Sequence, residues 1–260
     1  MIGFQKFIEP RNSMLKVLYR NYLVWSHHKI GSVVANLGEP LLYLLSIGYG
    51  LGRYIQSIDG MPYIDFMVPA LVMISVMNST SFETTFSSYT RMTVQRTFEA
   101  IAVTPVGLRN VILGEILWAA TKATFGAAIM LLVFAIAGLI HHWHVLAILP
   151  FAFLIGLLFA ALGVFATSIA RSYEFFNYYF VLFLTPMFLF SGTFFPLKDL
   201  PNWAYRLGYV LPLTRAVYGS REIFSGRWGS ELWISISGCS ILLILVTILA
   251  VKRMEKRLVF

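Results

Sequence analysis

The chain has 260 residues, of which 58% are hydrophobic and only 12% are charged. Typical soluble domains carry roughly 25% charged residues, so a soluble fold is excluded because too few charges remain to cover the apolar surface. The net charge of +8 suits contact with anionic lipid headgroups, and no nucleic-acid-binding motif accompanies it. The composition and the long uncharged runs predict an all-α polytopic membrane protein.

The first predicted element is an amphipathic helix over residues 11–28. Basic residues interrupt the first thirty positions too often to leave the apolar core of a signal peptide. Apolar side chains recur at helical spacing at Met14, Leu18, Tyr22 and Trp25. Lys16 and Arg20 lie one turn apart on a more polar face, which predicts an interfacial helix on the inner surface of the membrane. This helix serves either as an anchor or as a lever that transmits force from a cytoplasmic partner.

Six runs are long and apolar enough to cross the hydrocarbon core, which requires about 20 helical residues. The predicted spans cover residues 30–52, 63–86, 111–139, 146–169, 175–195 and 231–251. With both termini in the cytoplasm, thirteen of the twenty Lys and Arg residues lie on the inner side, as the positive-inside rule requires. We therefore expect one domain over 1–260, with a cytoplasmic and interfacial segment at 1–29, a six-span region at 30–251 and a cytoplasmic tail at 252–260.

Spans one, two and three carry ionisable residues, which are costly inside a membrane and normally face a bundle interior or a partner. Glu83 and Glu115 fall near the cytoplasmic ends of spans two and three, and Lys122 lies two turns beyond Glu115. We predict that these residues form structural or gating pairs rather than direct contacts with a substrate. On span one, Glu39 and Tyr43 belong to a polar stripe that faces either a pathway or a dimer contact.

A short amphipathic segment separates spans two and three. Phe98 and Ile101 share one helical face, whereas Arg96 and Glu99 lie nearer the other face. Pro105 ends the pattern because proline cannot continue a helix. The segment predicts a short helix on the inner membrane surface, which is either a connecting helix with arginines on lipid phosphates or a contact for a partner.

Residues 196–230 alternate prolines with aromatic and aliphatic side chains and carry five basic residues on the outer side. This pattern predicts two short re-entrant amphipathic helices that dip into the outer leaflet, with basic tips that reach the headgroups. Aromatic rings concentrate just before this segment, at Phe183, Phe188, Phe190, Phe194 and Phe195. They either clamp an acyl chain, stack on sugar faces or face lipid.

The reactive groups of a membrane enzyme are missing from this sequence. Ser191 has no histidine inside a predicted span to activate it. His141, His142 and His144 have no nearby carboxylate or cysteine, so no metal site is predicted. The sequence has no Gly-Lys dipeptide, which excludes a phosphate-binding loop of the G-x-x-x-x-G-K-[ST] type. We predict no cofactor in this chain, and any ATP-driven work requires a separate subunit.

Several blocks resemble the permease subunits of ABC type-2 exporters, above all nodulation-type lipo-oligosaccharide export permeases and related drug-resistance permeases. The main blocks are QRTFEA at 95–100, TP at 104–105 and GEILWAATKA at 114–123. Supporting blocks are RNYLVW at 20–25, NLGEP at 36–40, TPMFLFSG at 185–192, FP at 195–196 and LP at 200–201. Their order along the sequence covers nearly the whole chain.

The resemblance implies a homodimer in the bacterial inner membrane, paired with two copies of a subunit that binds ATP and Mg²⁺. The helix around residues 95–103 is then the coupling helix that fits a cleft of that subunit. The implied coupling residues are Arg91, Gln95, Arg96, Thr97, Phe98, Glu99, Ala100, Thr104 and Pro105. Spans two and five are understood to line the pathway in this family, which adds Met73, Met77, Phe188 and Phe190 to the candidates Glu39, Tyr43, Glu83, Glu115 and Lys122.

The predicted function is outward movement of an amphipathic substrate, such as a lipo-oligosaccharide, a lipid-linked glycan or a hydrophobic drug, driven by a separate ATPase. The expected partners are that ATPase, a second copy of the chain, membrane lipids and the substrate, but not nucleic acid. One alternative is a secondary transporter, which should show inverted repeats and interrupted midplane helices. Another is a membrane-embedded lipid transferase, which needs clustered carboxylates or histidines, whereas the acidic residues are scattered along this sequence.

Overall fold

The computed structural model describes residues 13–27, 29–55, 57–58, 60–140 and 142–258. The predicted contributions of Lys6, Arg11, His141 and the last two residues of the tail lie outside these ranges. The N-terminal half contains α1 (Ser13–Ser26), α2 (Lys29–Tyr43), β1 (Ser57–Ile58), β2 (Met61–Pro62), α3 (Tyr63–Phe82), α4 (Ser88–Thr93), α5 (Thr97–Ala102) and α6 (Leu108–Ile136). The C-terminal half contains α7 (Ile148–Ile169), α8 (Glu174–Tyr178), α9 (Thr185–Leu189), α10 (Asn202–Val210), α11 (Pro212–Phe224) and α12 (Ser230–Leu258).

Within the described ranges, three helices contain or adjoin a π-helical turn, in which the backbone is wound more loosely than in an α-helix. The turns are Leu44–Tyr49 after α2, Glu83–Ser87 between α3 and α4, and Tyr179–Leu184 between α8 and α9. Short 3₁₀ helices at Trp143–Ala147 and Leu197–Asp199 precede α7 and α10. In addition to the predicted helices, β1 and β2 form a small antiparallel hairpin, in which Ser57 pairs with Pro62 and Ile58 with Met61.

Among the residues that the structure describes, four helices are long and apolar enough to cross a membrane, in agreement with the predicted multi-pass all-α protein. They cover Tyr63–Thr93, Leu108–Ile136, Trp143–Ile169 and Ser230–Leu258, which correspond to predicted spans two, three, four and six. Predicted span one coincides with α2 and its π-helical turn, and span five with the shorter apolar helix Glu174–Leu189. The six-span count therefore stays a prediction.

The helix that contains predicted span two continues beyond residue 86 to Thr93. In the structure the Arg91 guanidinium is paired with two carboxylates, so its charge does not end the helix.

Helix α1 forms close to where it was predicted, but a different face is buried. Ser13, Val17 and Asn21 are buried, whereas Tyr22 is exposed. Helix α1 packs against α6 at Gly114, where an added Cβ would lie only 2.7 Å from the Val17 Cβ. The small residue permits this close approach, so α1 is tied to α6 rather than held by its apolar face alone.

The segment 196–230 forms two short helices, α10 and α11, as predicted. However, the expectation that its basic residues reach lipid headgroups is wrong for Arg221, whose exposed fraction is only 8%. Its guanidinium donates hydrogen bonds to the carbonyl oxygens of Phe66 at 3.0 Å and Gly192 at 2.7 Å. Arg221 therefore fastens α11 to the start of α3 and to the turn that follows α9.

Helix α7 lies at the centre of the bundle, where it packs against α3, α6 and α12. Small residues bring these helices together. An added Cβ at Gly156 would lie 3.2 Å from the Ala120 Cα of α6, and one at Gly163 would lie 2.0 Å from the Thr84 hydroxyl. Such close backbone approach is typical of helix packing in membranes, where lipid supplies little hydrophobic force between helices.

Long-range hydrogen bonds define the two ends of the bundle. At one end the Tyr89 hydroxyl donates to the Arg171 carbonyl at 2.8 Å, and the Arg257 guanidinium donates to the Thr167 carbonyl. We call this the basic end. At the opposite end the Tyr63 hydroxyl donates to the Phe194 carbonyl at 3.2 Å.

Candidate functional site

Four of the predicted residues meet in a buried group of charges near the basic end, which we call the ion cluster: Glu83, Arg91, Glu115 and Lys122. Arg91 Nη2 lies 2.9 Å from Glu83 Oε1 and 2.5 Å from Glu115 Oε2. Lys122 Nζ lies 2.7 Å from Glu83 Oε2. The Glu115 side chain is 1% exposed and the Arg91 side chain 16%. Of the three residues predicted to form structural or gating pairs, Lys122 pairs with Glu83, whereas Glu115 pairs with Arg91.

Neutral donors complete the hydrogen bonding of the two carboxylates. Glu115 accepts a hydrogen bond from Asn21 Nδ2 at 2.8 Å and another from the Ser88 hydroxyl at 3.1 Å. Glu83 accepts one from Trp118 Nε1 at 3.2 Å. Because Asn21 lies on α1, Ser88 on α4 and Glu115 on α6, the cluster joins three helices that are distant in sequence.

Arg20 lies at the edge of the ion cluster, where its Nη2 is 3.6 Å from Glu115 Oε1. Burial lowers the pKa of the Arg20 guanidinium, while the nearby Glu115 carboxylate favours the charged form. The two carboxylates are therefore faced by two inner cations and one at the edge. The structure brings together two acidic residues, Glu83 and Glu115, that are distant in sequence. Because cations surround both carboxylates, they are nevertheless poor candidates for acid–base chemistry.

A cavity of about 670 Å³ lies beside the ion cluster, between α2, α3, α6 and the α8–α9 segment. Five predicted pathway or gating residues line it: Glu39, Tyr43, Met77, Lys122 and Phe188. Lys122 belongs to both sites, because its ammonium group pairs with Glu83 while its side chain forms part of the cavity wall. The cavity thus borders directly on the ion cluster.

The cavity has a polar wall and an aromatic wall. On the polar wall, Asn78 Nδ2 donates to Glu39 Oε2 at 3.3 Å, and the buried Ser79 hydroxyl has no hydrogen-bond partner among the described residues. On the aromatic wall, the ring of Tyr43 lies 5.8 Å from that of Phe188 and 5.9 Å from that of Phe194. Such a cavity can hold a molecule that has both polar and apolar parts.

The other predicted pathway or gating residues do not line this cavity. Met73 is fully buried in the helix core, and Glu83 and Glu115 belong to the ion cluster. Phe190 lies near the opposite end, where its ring is 6.4 Å from that of Trp203.

The predicted surface helix is α5, which begins at Thr97 and has one buried anchor. The Phe98 side chain is 1% exposed and packs into the core at the basic end. Glu99 and Ala100 are exposed on the outer face, as are Gln95 and Arg96 in the turn before the helix. Helix α5 is thus held from one side and open on the other.

Hydrogen bonds fix both ends of α5. The Thr97 hydroxyl donates to the Arg91 carbonyl at 2.9 Å, and the Thr104 hydroxyl donates to the Ile101 carbonyl at 2.6 Å. Pro105 follows in the exposed turn. Arg91 differs from the other predicted coupling residues, because its guanidinium lies in the ion cluster rather than on the open face.

Sequence reasoning missed several residues of these sites: Asn21, Ser88, Trp118, Asn78 and Ser79. Trp118 lies one helical turn after Glu115, which was the one local signal available. Asn21 is 94 residues from its partner Glu115, and no local spacing rule predicts such a contact.

Comparisons with known proteins agree with this architecture. Residues 13–225 match the family model described as ABC-2 type transporter. Nodulation protein J of Sinorhizobium fredii is 36% identical over 244 residues, which cover 94% of this chain and 93% of that protein. Nodulation protein J of Rhizobium meliloti is 39% identical over 212 residues, which cover 82% of this chain and 81% of that protein. The inner membrane transport permease YadH of Escherichia coli is 24% identical over 213 residues, which cover 81% of this chain and 80% of that protein. The chain belongs to the ABC-2 type transporter family.

Proposed function

We propose that this chain is the membrane permease subunit of an ATP-driven exporter, which moves an amphipathic substrate outward across the bacterial inner membrane. The observation that carries the proposal is the arrangement at the basic end. There an exposed helix, α5, is fixed by Phe98 and hydrogen-bonded to Arg91, a member of the ion cluster that borders the cavity. A force applied to α5 has a direct route to the cavity wall.

The force is supplied by a separate ATP-binding subunit, which also binds the ATP and Mg²⁺. Membership of the ABC-2 family supports such a partner. Helix α5 suits the contact because Arg96 and Glu99 are exposed and offer both signs of charge to a cleft. The rigid anchoring of α5 then carries closure of the nucleotide sites into movement of the attached helices.

The basic end faces the cytoplasm in this proposal, and both termini lie on that side of a six-span protein. Exposed basic residues support the orientation: Arg96, Arg109, Arg171, Lys252, Arg253 and Lys256. The 29 residues of α12 extend for about 43 Å. This length exceeds the roughly 30 Å hydrocarbon core, so the basic end of α12 projects into water.

Two copies of the chain and two ATP-binding subunits form the transporter, and the passage opens where the two cavities meet. Exposed apolar side chains within two residues of cavity-lining positions support a second copy as its outer wall: Leu42, Leu45, Val181 and Leu182. The proposed substrate is a lipo-oligosaccharide or a related amphipathic molecule. The polar and aromatic walls of the cavity and the similarity to the nodulation proteins J support this class.

Site-directed cross-linking of the purified complex tests the contact at α5. A photoreactive amino acid is placed at Glu99, and the matched control places it at Arg206, an exposed residue of α10 at the opposite end. We expect position 99 to cross-link to the ATP-binding subunit and position 206 not to do so. Cross-linking to lipid alone at position 99, in a complex that hydrolyses ATP, contradicts the proposal.

A further inference from the structure

We propose that Glu83 is a positioning residue that transmits occupancy of the cavity to α5. The inference rests on the proposed function and adds a regulatory path between its two sites. It concerns the sequence of contacts from Lys122 through Glu83 and Arg91 to Thr97.

The two carboxylate oxygens of Glu83 contact different partners, one in the cavity wall and the other towards the basic end. Oε2 accepts a hydrogen bond from Lys122 Nζ at 2.7 Å, and Lys122 lines the cavity. Oε1 accepts one from Arg91 Nη2 at 2.9 Å and one from Trp118 Nε1 at 3.2 Å. Any molecule that attracts the Lys122 ammonium group weakens one of the two ion pairs of Glu83 and leaves the other.

Arg91 connects the ion pairs of Glu83 to α5. Its guanidinium binds Glu83 and Glu115, while its carbonyl oxygen accepts the hydrogen bond of the Thr97 hydroxyl at 2.9 Å. Thr97 is the first residue of α5, and only three residues separate α5 from α4. A shift of Arg91 therefore moves the start of the exposed helix.

The backbone at Glu83 is suited to such a shift, because this residue begins the π-helical turn Glu83–Ser87. A π-helical turn holds one residue more than an α-helical turn. Such turns are rare among helices in general, and those that occur are often found at functional sites. The far side of this turn is fixed, because the Thr167 hydroxyl of α7 donates to the Thr84 carbonyl at 2.7 Å. The Glu83 side chain is then the part of the turn that can exchange partners.

The distribution of π-helical turns along the chain supports this assignment. The cavity is lined by α6 and by three further segments, α2, α3 and α8–α9. Each of these three segments contains or adjoins a π-helical turn. Helices α6, α7 and α12, which the structure describes over their whole length, are α-helical throughout. The π-helical turns thus occur in segments around the cavity, whereas the long helices α6, α7 and α12 are regular.

The test uses the permease and its ATP-binding subunit together in proteoliposomes, with a fluorescently labelled palmitoyl oligosaccharide as the probe. ATP hydrolysis is measured with and without the probe, and transport of the probe is measured in parallel. In the Glu83→Gln variant the amide keeps the size of the side chain but loses its charge. We expect stimulation by the probe, taken as the ratio of stimulated to basal hydrolysis of the same variant, to fall about tenfold, within the usual range of coupling between sites.

Three further variants separate positioning from general stability. Lys122→Met should reproduce the loss of stimulation, and Glu83→Asp, which keeps the charge, should restore part of it. The matched control is Glu231→Gln at the opposite end, where Glu231 pairs with Arg215 at 3.2 Å. This control should leave stimulation unchanged.

A structural readout accompanies the kinetics. In the wild type the probe should change hydrogen exchange of the α5 backbone, and in Glu83→Gln it should not. Full stimulation in Glu83→Gln overturns the inference, and so does a proportional loss of basal and stimulated hydrolysis. A wild-type complex that transports nothing with ATP contradicts the proposed function instead.

Discussion

Replacement of Phe98 by alanine tests whether α5 is held as a rigid element of the permease. Phe98 is the buried anchor of this helix. A six-residue helix is far shorter than the roughly 12–15 residues that an isolated helix needs in water. The stability of α5 therefore depends on the packing of Phe98 against the core at the basic end, and not on the helix itself.

The size of the effect follows from this burial. Truncation of a fully buried phenylalanine costs about 3–5 kcal/mol. Since about 1.4 kcal/mol corresponds to a factor of ten, the undocked population of α5 should rise between about a hundredfold and several thousandfold. The long helices should remain folded, because their cores do not depend on this side chain alone.

Hydrogen exchange of the purified permease in lipid nanodiscs measures this population. The informative amides are those of Ala100, Val103 and Thr104, which donate to backbone carbonyls within the α5 segment. In Phe98→Ala their protection should fall about a hundredfold or more, while the amides of α7 stay protected. In the control Glu99→Ala, at an exposed position, protection should not change. Wild-type protection of α5 in Phe98→Ala, or equal loss in α7, refutes the reasoning.

The remaining predictions concern packing and buried charge, and thermal unfolding of the detergent-solubilised protein measures each. Glu115→Ala should destabilise the protein by about 3–5 kcal/mol, because it leaves Glu83 as the one carboxylate for both Arg91 and Lys122; an unchanged midpoint contradicts this. Gly163→Ala should cost about 1–3 kcal/mol, because its Cβ would lie 2.0 Å from the Thr84 hydroxyl. Gly126→Ala is its matched control, since nothing lies within 4 Å of that added Cβ, and equal effects of the two changes would show that the close approach is unimportant. Arg221→Lys should cost about 1–3 kcal/mol, because lysine cannot reproduce the guanidinium contacts to two carbonyls; wild-type stability in this variant contradicts the fastening role.

The parts of the fold that follow from local composition could be predicted from the sequence. Apolar runs of sufficient length predicted the helices now seen at Leu108–Ile136, Trp143–Ile169 and Ser230–Leu258. The short helix α5 followed from the spacing of Phe98 and Ile101. In each case the signal lies within the element itself.

Features that depend on contacts between distant elements could not be predicted. Arg91 is predicted as a coupling residue, yet its guanidinium pairs with Glu83 and Glu115 in the ion cluster, and Glu115 lies on a different helix. The burial of Arg221 depends on carbonyl groups of α3 and of the turn after α9. The π-helical turns carry no local signal that was recognised in the sequence.

The most direct test of the central claim is transport by reconstituted vesicles that contain the permease with or without its ATP-binding subunit. Uptake of a labelled palmitoyl oligosaccharide into inverted vesicles is measured with ATP, with a hydrolysis-deficient ATP-binding subunit, and with an imposed ion gradient. We predict transport only with ATP and the active subunit. Transport that an ion gradient drives in the absence of that subunit would contradict the account.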